Sequence, residues 1–367
     1  MYITAWTAVS PYGLGREAFA EGVLARRRTA AAVLPGPRAV PDARACLVPD
    51  FDPRAVLGKK GTRAMNRVTG LAVTAVGALV GRDTGDAGDV GGTARADEPD
   101  CDTALVLGTT TGSVQSMMDF TRASLTGERP FDVEPAVIPN SVMNCAAAQC
   151  AIWHRLEGPN TTLACGRPSA LLALAYARRL LLGGRARTVL CGAAEEYSSA
   201  RAWLERRSRS VESAGSPVPL GEGAAVLRVE LGAPHGALAE VLAVESRFRL
   251  PGTSVAEVVE AVARTAVEQA GIDRREVWAA VSSGLCDEET GVLGELFGAR
   301  TVNQVPLTAE LLGDTGAACA AFQLTATLAV AAYEAPEARC DGRIAVVTSV
   351  DREGAVTAAV LRMGGAI

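Results

Sequence analysis

The chain has 367 residues, 49% of them apolar and 21% charged, with a formal net charge of −5. So much apolar material excludes a disordered chain and supplies a sizeable core. The acidic balance and the 4% aromatic content exclude an overall nucleic-acid footprint or a base-stacking surface. Of the 36 basic residues only Lys59 and Lys60 are lysine, and this Ala/Gly/Arg bias fits a GC-rich coding sequence.

In chain order, MYITAWTAVSP reads as a strand beginning at Tyr2–Ala5, without the basic n-region of a signal peptide. Gly15–Ala25 and Arg63–Val80 are predicted helices, the second with Leu71, Val73, Val76 and Leu79 toward one side. The acidic, Gly-rich stretch 83–102 is aperiodic and reads as a surface loop. Ala104–Leu107, Thr161–Ala164 and Thr188–Cys191 are predicted strands, and Pro168–Leu182 a helix. A second series follows: strand Val302–Pro306, helix Thr315–Tyr333 and strand Ile344–Ser349. The apolar stretch 317–333 is interrupted by Gln323, Thr325 and Thr327, so it reads as a buried helix, not a membrane span. Alternation of this kind implies parallel strands covered on both faces. Its repetition implies two similar βαβ halves, residues 1–232 and 233–367, joined near 230–238.

Nine cysteines are scattered without CxxC or any metal-type spacing, so no metal and no cofactor are expected. The chain is expected to be cytoplasmic with reduced thiols. It contains two histidines, His154 at a helix end and His235 in the connector, each expected to be solvated or capping.

ITAWTAVSPYGLGREAFAEGVLARR (3–27), KGTRAMNRVTGLAVTA (60–75), VIPNSVMNCAAAQCAIWHRLEGPNTT (137–162) and VPLGEGAAVLRVE (218–230) resemble β-ketoacyl synthases of the thiolase superfamily. The resemblance runs in order along the whole chain and is clearest over 137–230. It implies an α/β, thiolase-like fold whose two halves form a five-layered α-β-α-β-α arrangement.

In active members a Cys at a strand-to-helix turn takes the acyl chain as a thiolate, and two His residues promote decarboxylation of the malonyl unit. The family's Cys lies nine residues after the Gly of a Gly-Pro pair and twenty-eight before a strand-end Glu. Counted from Gly158 and from Glu195, both anchors fall on Arg167. A guanidinium is always protonated and cannot attack a thioester. The first His position falls at or near Gly284, the second at Asp314, and the Lys before it at Ala309. The Gly-rich C-terminal loop is replaced by Asp351-Arg352-Glu353-Gly354, and Asp314 or Glu353 is a candidate partner for Arg167.

The resemblance therefore points to the chain-length factor, the ketosynthase β subunit of a type II polyketide synthase. Such a subunit pairs with an active ketosynthase α subunit as a heterodimer and shapes the tunnel into which the acyl chain grows. It meets the acyl carrier protein, with its phosphopantetheine-linked chain, mainly through that partner. Chain-length factors of aromatic systems carry Gln where this chain has Arg167, which leans the reading toward reducing, polyene-forming systems.

The implied interface comprises Thr161, Thr162, Leu163 and Ala164, with Ile138 and Met143 from the segment Pro135–Cys150. The implied tunnel residues are Thr111, Val114, Met117, Thr121 and Val137. Val114, Met117 and Thr121 fall at i, i+3 and i+7 of one predicted helix face, with Met118 and Phe120 pointing elsewhere. Two alternatives compete. One is an active thiolase-like acyltransferase using Cys165, with Asp314 or Glu288 as base, although Cys165 is expected to be a buried strand thiol. The other is a homodimeric acyl-binding pseudoenzyme.

Overall fold

The computed structural model describes residues 1–34, 36, 38–80, 99–208, 218–232, 236–334 and 342–364. The chain opens with a nine-residue strand, β1 (Tyr2–Ser10), longer than the sequence predicts because Thr7 and Ser10 are buried along with the apolar residues. Helix α1 (Arg16–Leu24) follows and buries Phe19, whose ring meets Trp6 edge-on and stacks on Phe322 at 5.5 Å between centroids. Helix α2 (Arg67–Gly77) starts later than expected, where Asn66 caps it by accepting the Thr69 N–H.

Strand β2 (Thr103–Gly108) leads through a tight turn to helix α3 (Val114–Thr126). A 3-10 turn (Pro135–Ser141) precedes helix α4 (Cys145–His154). Then come β3 (Asn160–Leu163), α5 (Ser169–Leu182), β4 (Thr188–Glu195), α6 (Ser199–Ser208) and β5 (Gly223–Glu230). The second half comprises β6 (Ala239–Phe248), α7 (Val255–Ala270), β7 (Val277–Val281), α8 (Asp287–Phe297), α9 (Cys319–Glu334), β8 (Ile344–Val350) and β9 (Ala355–Met363).

Side-chain alternation explains the layering. In β2, Ala104 and Val106 point into one apolar cluster while Leu105 and Leu107 point into another. In β8, Ala345 and Val347 join that first cluster, and Ile344 and Val346 join a third. The shared cluster holds the middle helices α5 and α9, the second holds α2 and α4, and the third α7 and α8. Each sheet is thus buried on both faces, as parallel strands require. The order is the five-layered α-β-α-β-α arrangement.

The two strand sets repeat one order, β1-β5-β4-β2-β3 and β6-β9-β8-β7. They join edge to edge through the short antiparallel pairing of Tyr2 with Glu240 and Ile3 with Ala239. One predicted strand does not form. Val302–Pro306 forms no strand; Thr301–Asn303 is a 3-10 turn, so among the described residues the second set has no counterpart of β3. Its β-branched residues number only two, and Pro306 removes a donor that a ladder would need.

The helical stretch Gly316–Glu334 is long and apolar enough to cross a membrane by length and composition. It is 83% buried between the sheets, as a core helix is. Of the acidic loop, residues 83–98 lie outside the described residues, as does His235.

Candidate functional site

Among the described residues strand β3 sits at the edge of its sheet and pairs only with β2. Beyond Leu163 the chain turns sharply through Gly166, at φ +65. A Cβ there would lie 2.0 Å from Asp351 Oδ1, so both the φ and the space demand glycine. The Ser169 hydroxyl donates to the Gly166 carbonyl (2.6 Å) and accepts from the Cys165 N–H (3.0 Å), which sets the start of α5.

This turn delivers Arg167 into the interior. Its side chain is 9% exposed, and Nη2 lies 2.7 Å from Oδ2 of Asp314, itself 5% exposed. The Arg167 N–H donates to Asp351 Oδ1 at 3.0 Å. Arg352 adds a second cation, with Nη2 3.3 Å from Asp314 Oδ2 and Nη1 2.6 Å from Glu205. Arg201 holds the Asp314 carbonyl from behind at 2.9 Å. Burial alone would raise the Asp314 pKa, but the Arg167 guanidinium, with Arg201 and Arg352, holds it well below the usual carboxylate range. Burial works against the Arg167 charge in turn, and Asp314 raises its pKa above the ordinary value. Both groups stay ionised.

A cleft of about 910 Å³ opens over this pair, lined among others by Thr110, Thr111, Cys165, Phe248, Asp351 and Arg352. Cys165 corrects one expectation. It is exposed in the cleft, not buried in a strand, because β3 ends two residues earlier. Desolvation and the Asp351 charge raise its pKa, so it is a protonated thiol. Cys319, below the pair, is fully buried, and burial pushes its thiol up to about 12.

Gly284 and Ala309 do not line the cleft. Gly284 (φ +78) turns the chain after β7, and a Cβ there would meet Leu307 at 2.9 Å. Ala309 is buried and donates its N–H to the Ser283 carbonyl at 3.0 Å. His154 is likewise no solvated residue: it is buried against α2, with Nε2 2.9 Å from the Val73 carbonyl. Of the two candidate partners for Arg167, the ion pair is with Asp314; Glu353 is exposed and accompanies Asp351 in the turn. Asp351, Arg352 and Arg201 had no role in the sequence reading beyond the substituted loop.

The tunnel candidates separate. Thr111 lines the cleft. Val114 is buried under α3, whereas Met117 and Thr121 are exposed, so the i, i+3, i+7 face does not act as one surface in the single chain. Met118 is as open as Met117, 43% against 40%. Val137 is half-buried in the 3-10 turn. Thr161, Thr162 and Leu163 are half-buried on the open edge of β3, and Ala164 is exposed. Ile138, Val142, Met143 and Phe131 are exposed, so α3 and the segment leading to α4 carry an open apolar face.

Residues 2–227 match the family model for the β-ketoacyl synthase N-terminal domain. Over 99% of both chains the fold is similar to the solved structure of the ishigamide ketosynthase/chain length factor, at 45% identity and a TM-score of 0.90. A type II polyketide synthase acyl-carrier protein in complex with its ketosynthase bound to the hexaketide, AntDE:AntF, shares the fold at 16% identity over 99% and 98% of the chains, with a TM-score of 0.74. A curated relative is the 3-oxoacyl-[acyl-carrier-protein] synthase 2 of Rhizobium meliloti (strain 1021), 25% identical over 158 residues. That match spans 39% of this chain and 37% of the relative's own length. The chain belongs to the β-ketoacyl synthase family.

Proposed function

We propose that the chain is the non-catalytic chain-length factor of a type II polyketide synthase. It pairs with an active ketosynthase through β3 and the Pro135–Cys150 segment, and its helix α3 closes the acyl tunnel. The observation that carries the reading is the ion pair between Arg167 and Asp314 where the family's Cys and second His would stand. A locked guanidinium–carboxylate pair can neither take an acyl group nor polarise a malonyl thioester. The open edge of β3 and the apolar face around Met143 supply a surface that a partner sheet would cover. The acyl carrier protein would reach the complex mainly through the ketosynthase, and the product would be a reduced, polyene-type chain.

The test is reconstitution. The purified chain is expected to give no β-ketoacyl product from malonyl and acyl thioesters on carrier protein. With its ketosynthase it is expected to form a 1:1 complex that does. Condensation by the chain alone would overturn the reading, as would a stable homodimer that ignores every ketosynthase offered.

A further inference from the structure

Glu196 lies one residue beyond β4 and is 2% exposed. Its carboxylate meets the starts of two helices. Oε2 accepts the Val68 N–H in the first turn of α2 at 3.1 Å, and Oε1 accepts the Ser113 hydroxyl at 2.9 Å. Ser113 is the N-cap of α3: its Oγ accepts the Ser116 N–H at 3.2 Å and lies 2.9 Å from the Ser116 hydroxyl. Asn66, the cap of α2, reaches the same Ser116 hydroxyl at 3.5 Å. A carboxylate at two helix N-termini also complements both macrodipoles.

The two helices differ in what else holds them. From Val68 to Val76 every residue of α2 is buried, so packing fixes it. In α3 only Val114 is buried. Its first turn is therefore a main point of attachment, where Ala200 also donates to Gln115 at 3.0 Å, and Arg38 pairs with Asp119 at 2.8 Å one turn further on. Resting on the function proposed above, we infer that Glu196 is a positioning residue. Through Ser113 it sets the placement of the helix that presents Met117 and Met118, and with it the length of the acyl chain.

The clamp is also sensitive to pH. Glu195 adjoins it on β4, Glu222 faces it from the turn before β5, Arg67 from α2 and Arg201 from α6. Arg67 is engaged by Glu222 at 2.6 Å, and Arg201 by the carbonyls of Glu196, Gly221 and Asp314. Burial pushes the Glu196 carboxyl up to about 7, against the Ser113 and Val68 hydrogen bonds, with Glu195 and Glu222 adding to the rise. A proton must enter at Oε1, because Oε2 accepts from Val68. Glu196 then donates to Ser113 Oγ, and Ser113 passes its own hydrogen bond to Ser116.

The experiment measures amide exchange over 114–122 and product length in the reconstituted heterodimer at pH 6 and pH 8. Glu196→Ala and Ser113→Ala are expected to raise exchange in the first turns of α3 about tenfold, the scale of one hydrogen bond to a charged group, and to spread the product lengths. Glu196→Gln, which keeps an acceptor for Val68 and a donor for Ser113, is expected to restore both and to abolish the difference between the two pH values. Should Glu196→Ala fail to fold, Ser113→Ala decides. Wild-type exchange in Ser113→Ala overturns the inference, as does a defect that Glu196→Gln does not rescue. Condensation by the chain alone fails the proposed function, and an unchanged length in Met117→Ala removes the link from α3 to chain length, while the exchange measurement still judges the clamp.

Discussion

Arg167 and Asp314, 147 residues apart in sequence, meet at 2.7 Å in the interior, and neither side chain is more than 9% exposed. Removing one member of a buried pair strands the other charge, which typically costs about 3–5 kcal/mol. Arg352 at 3.3 Å remains to offset part of this for Asp314. Arg167→Ala is expected to lose about 3 kcal/mol of stability by urea unfolding, whereas the double variant Arg167→Met/Asp314→Leu loses far less. Equal losses in both would show that the pair is not a coupled unit. Arg167→Cys is expected to gain no condensing activity, because among the described residues no His stands beside it.

Cys165 is exposed in the cleft, and Cys101 is exposed elsewhere. Both thiols have raised pKa values, through desolvation first and then through Asp351 for Cys165 and Glu157 for Cys101. In native protein both are expected to alkylate slowly with iodoacetamide, each more slowly than free cysteine. Mass mapping after treatment with an acyl-mimicking electrophile such as cerulenin should show no preference for Cys165. Selective, rapid acylation of Cys165 would restore the active-enzyme reading.

What the sequence made legible was whatever depended on local pattern or on spacing within one half. Arg167 could be placed from Gly158 and Glu195 because β3, α5 and β4 form one unbroken unit. The environment of Cys165 could not, because it depends on where β3 stops and on Asp351 from the other half filling the space beside Gly166. The burial of His154 is illegible in the sequence for a similar reason. It is buried because Gly77 on α2 leaves room for it: a Cβ there would lie 2.7 Å from the imidazole. Val114, Met117 and Thr121 do fall in one helix, yet only Val114 is buried. Periodicity alone cannot say which turn of a helix face is covered.

Stability should fall as pH rises from about 4.5 to 7. Burial raises the folded-state pKa of Glu196 from the ordinary 4.5 to about 7, so in this window the native state binds the extra proton. At 1.36 kcal/mol per pKa unit the effect is about 3 kcal/mol. Burial raises Glu195 and Glu289 in the same sense. His154 acts oppositely, since burial lowers its pKa and its contribution is lost as pH falls below 6.5. Asp314 also acts oppositely, but only below 3.8. Urea unfolding at pH 5, 6 and 7 is expected to show the decline, and Glu196→Gln to flatten it. An unchanged slope in that variant would assign the decline to other groups.

Met143 is 50% exposed, beside Ile138 and Val142. Its backbone packs on Gly112, where an added Cβ would lie 2.7 Å from the Met143 Cα, so the side chain is directed by a fixed main chain. Met143→Glu should leave the chain folded, since nothing buried changes. In a partner interface the carboxylate would be desolvated without a cation, a cost of several kcal/mol. Co-purification with the ketosynthase is expected to be lost while the circular dichroism of the chain is retained. An intact complex would remove this segment from the interface.

Met117 stands on α3 one turn beyond the buried Val114 and is 40% exposed in the single chain. Exposure of an unbranched, adaptable side chain on an open apolar face is what an end wall needs if the partner completes the tunnel. On the proposed function, covering by the partner converts that exposure into burial, and each methylene of acyl chain that fits behind it gains about 0.8 kcal/mol. Product length then follows the volume left at this position. Met117→Ala is expected to move the distribution toward longer chains by a few methylenes, and Met117→Trp toward shorter ones. Thr121, one turn further out, donates its hydroxyl to the Met117 carbonyl at 2.8 Å. Thr121→Val should therefore shift length less than either Met117 variant. Mass analysis of the released chains from assembled, active complexes makes the comparison, and identical distributions in all three would show that α3 does not measure the chain.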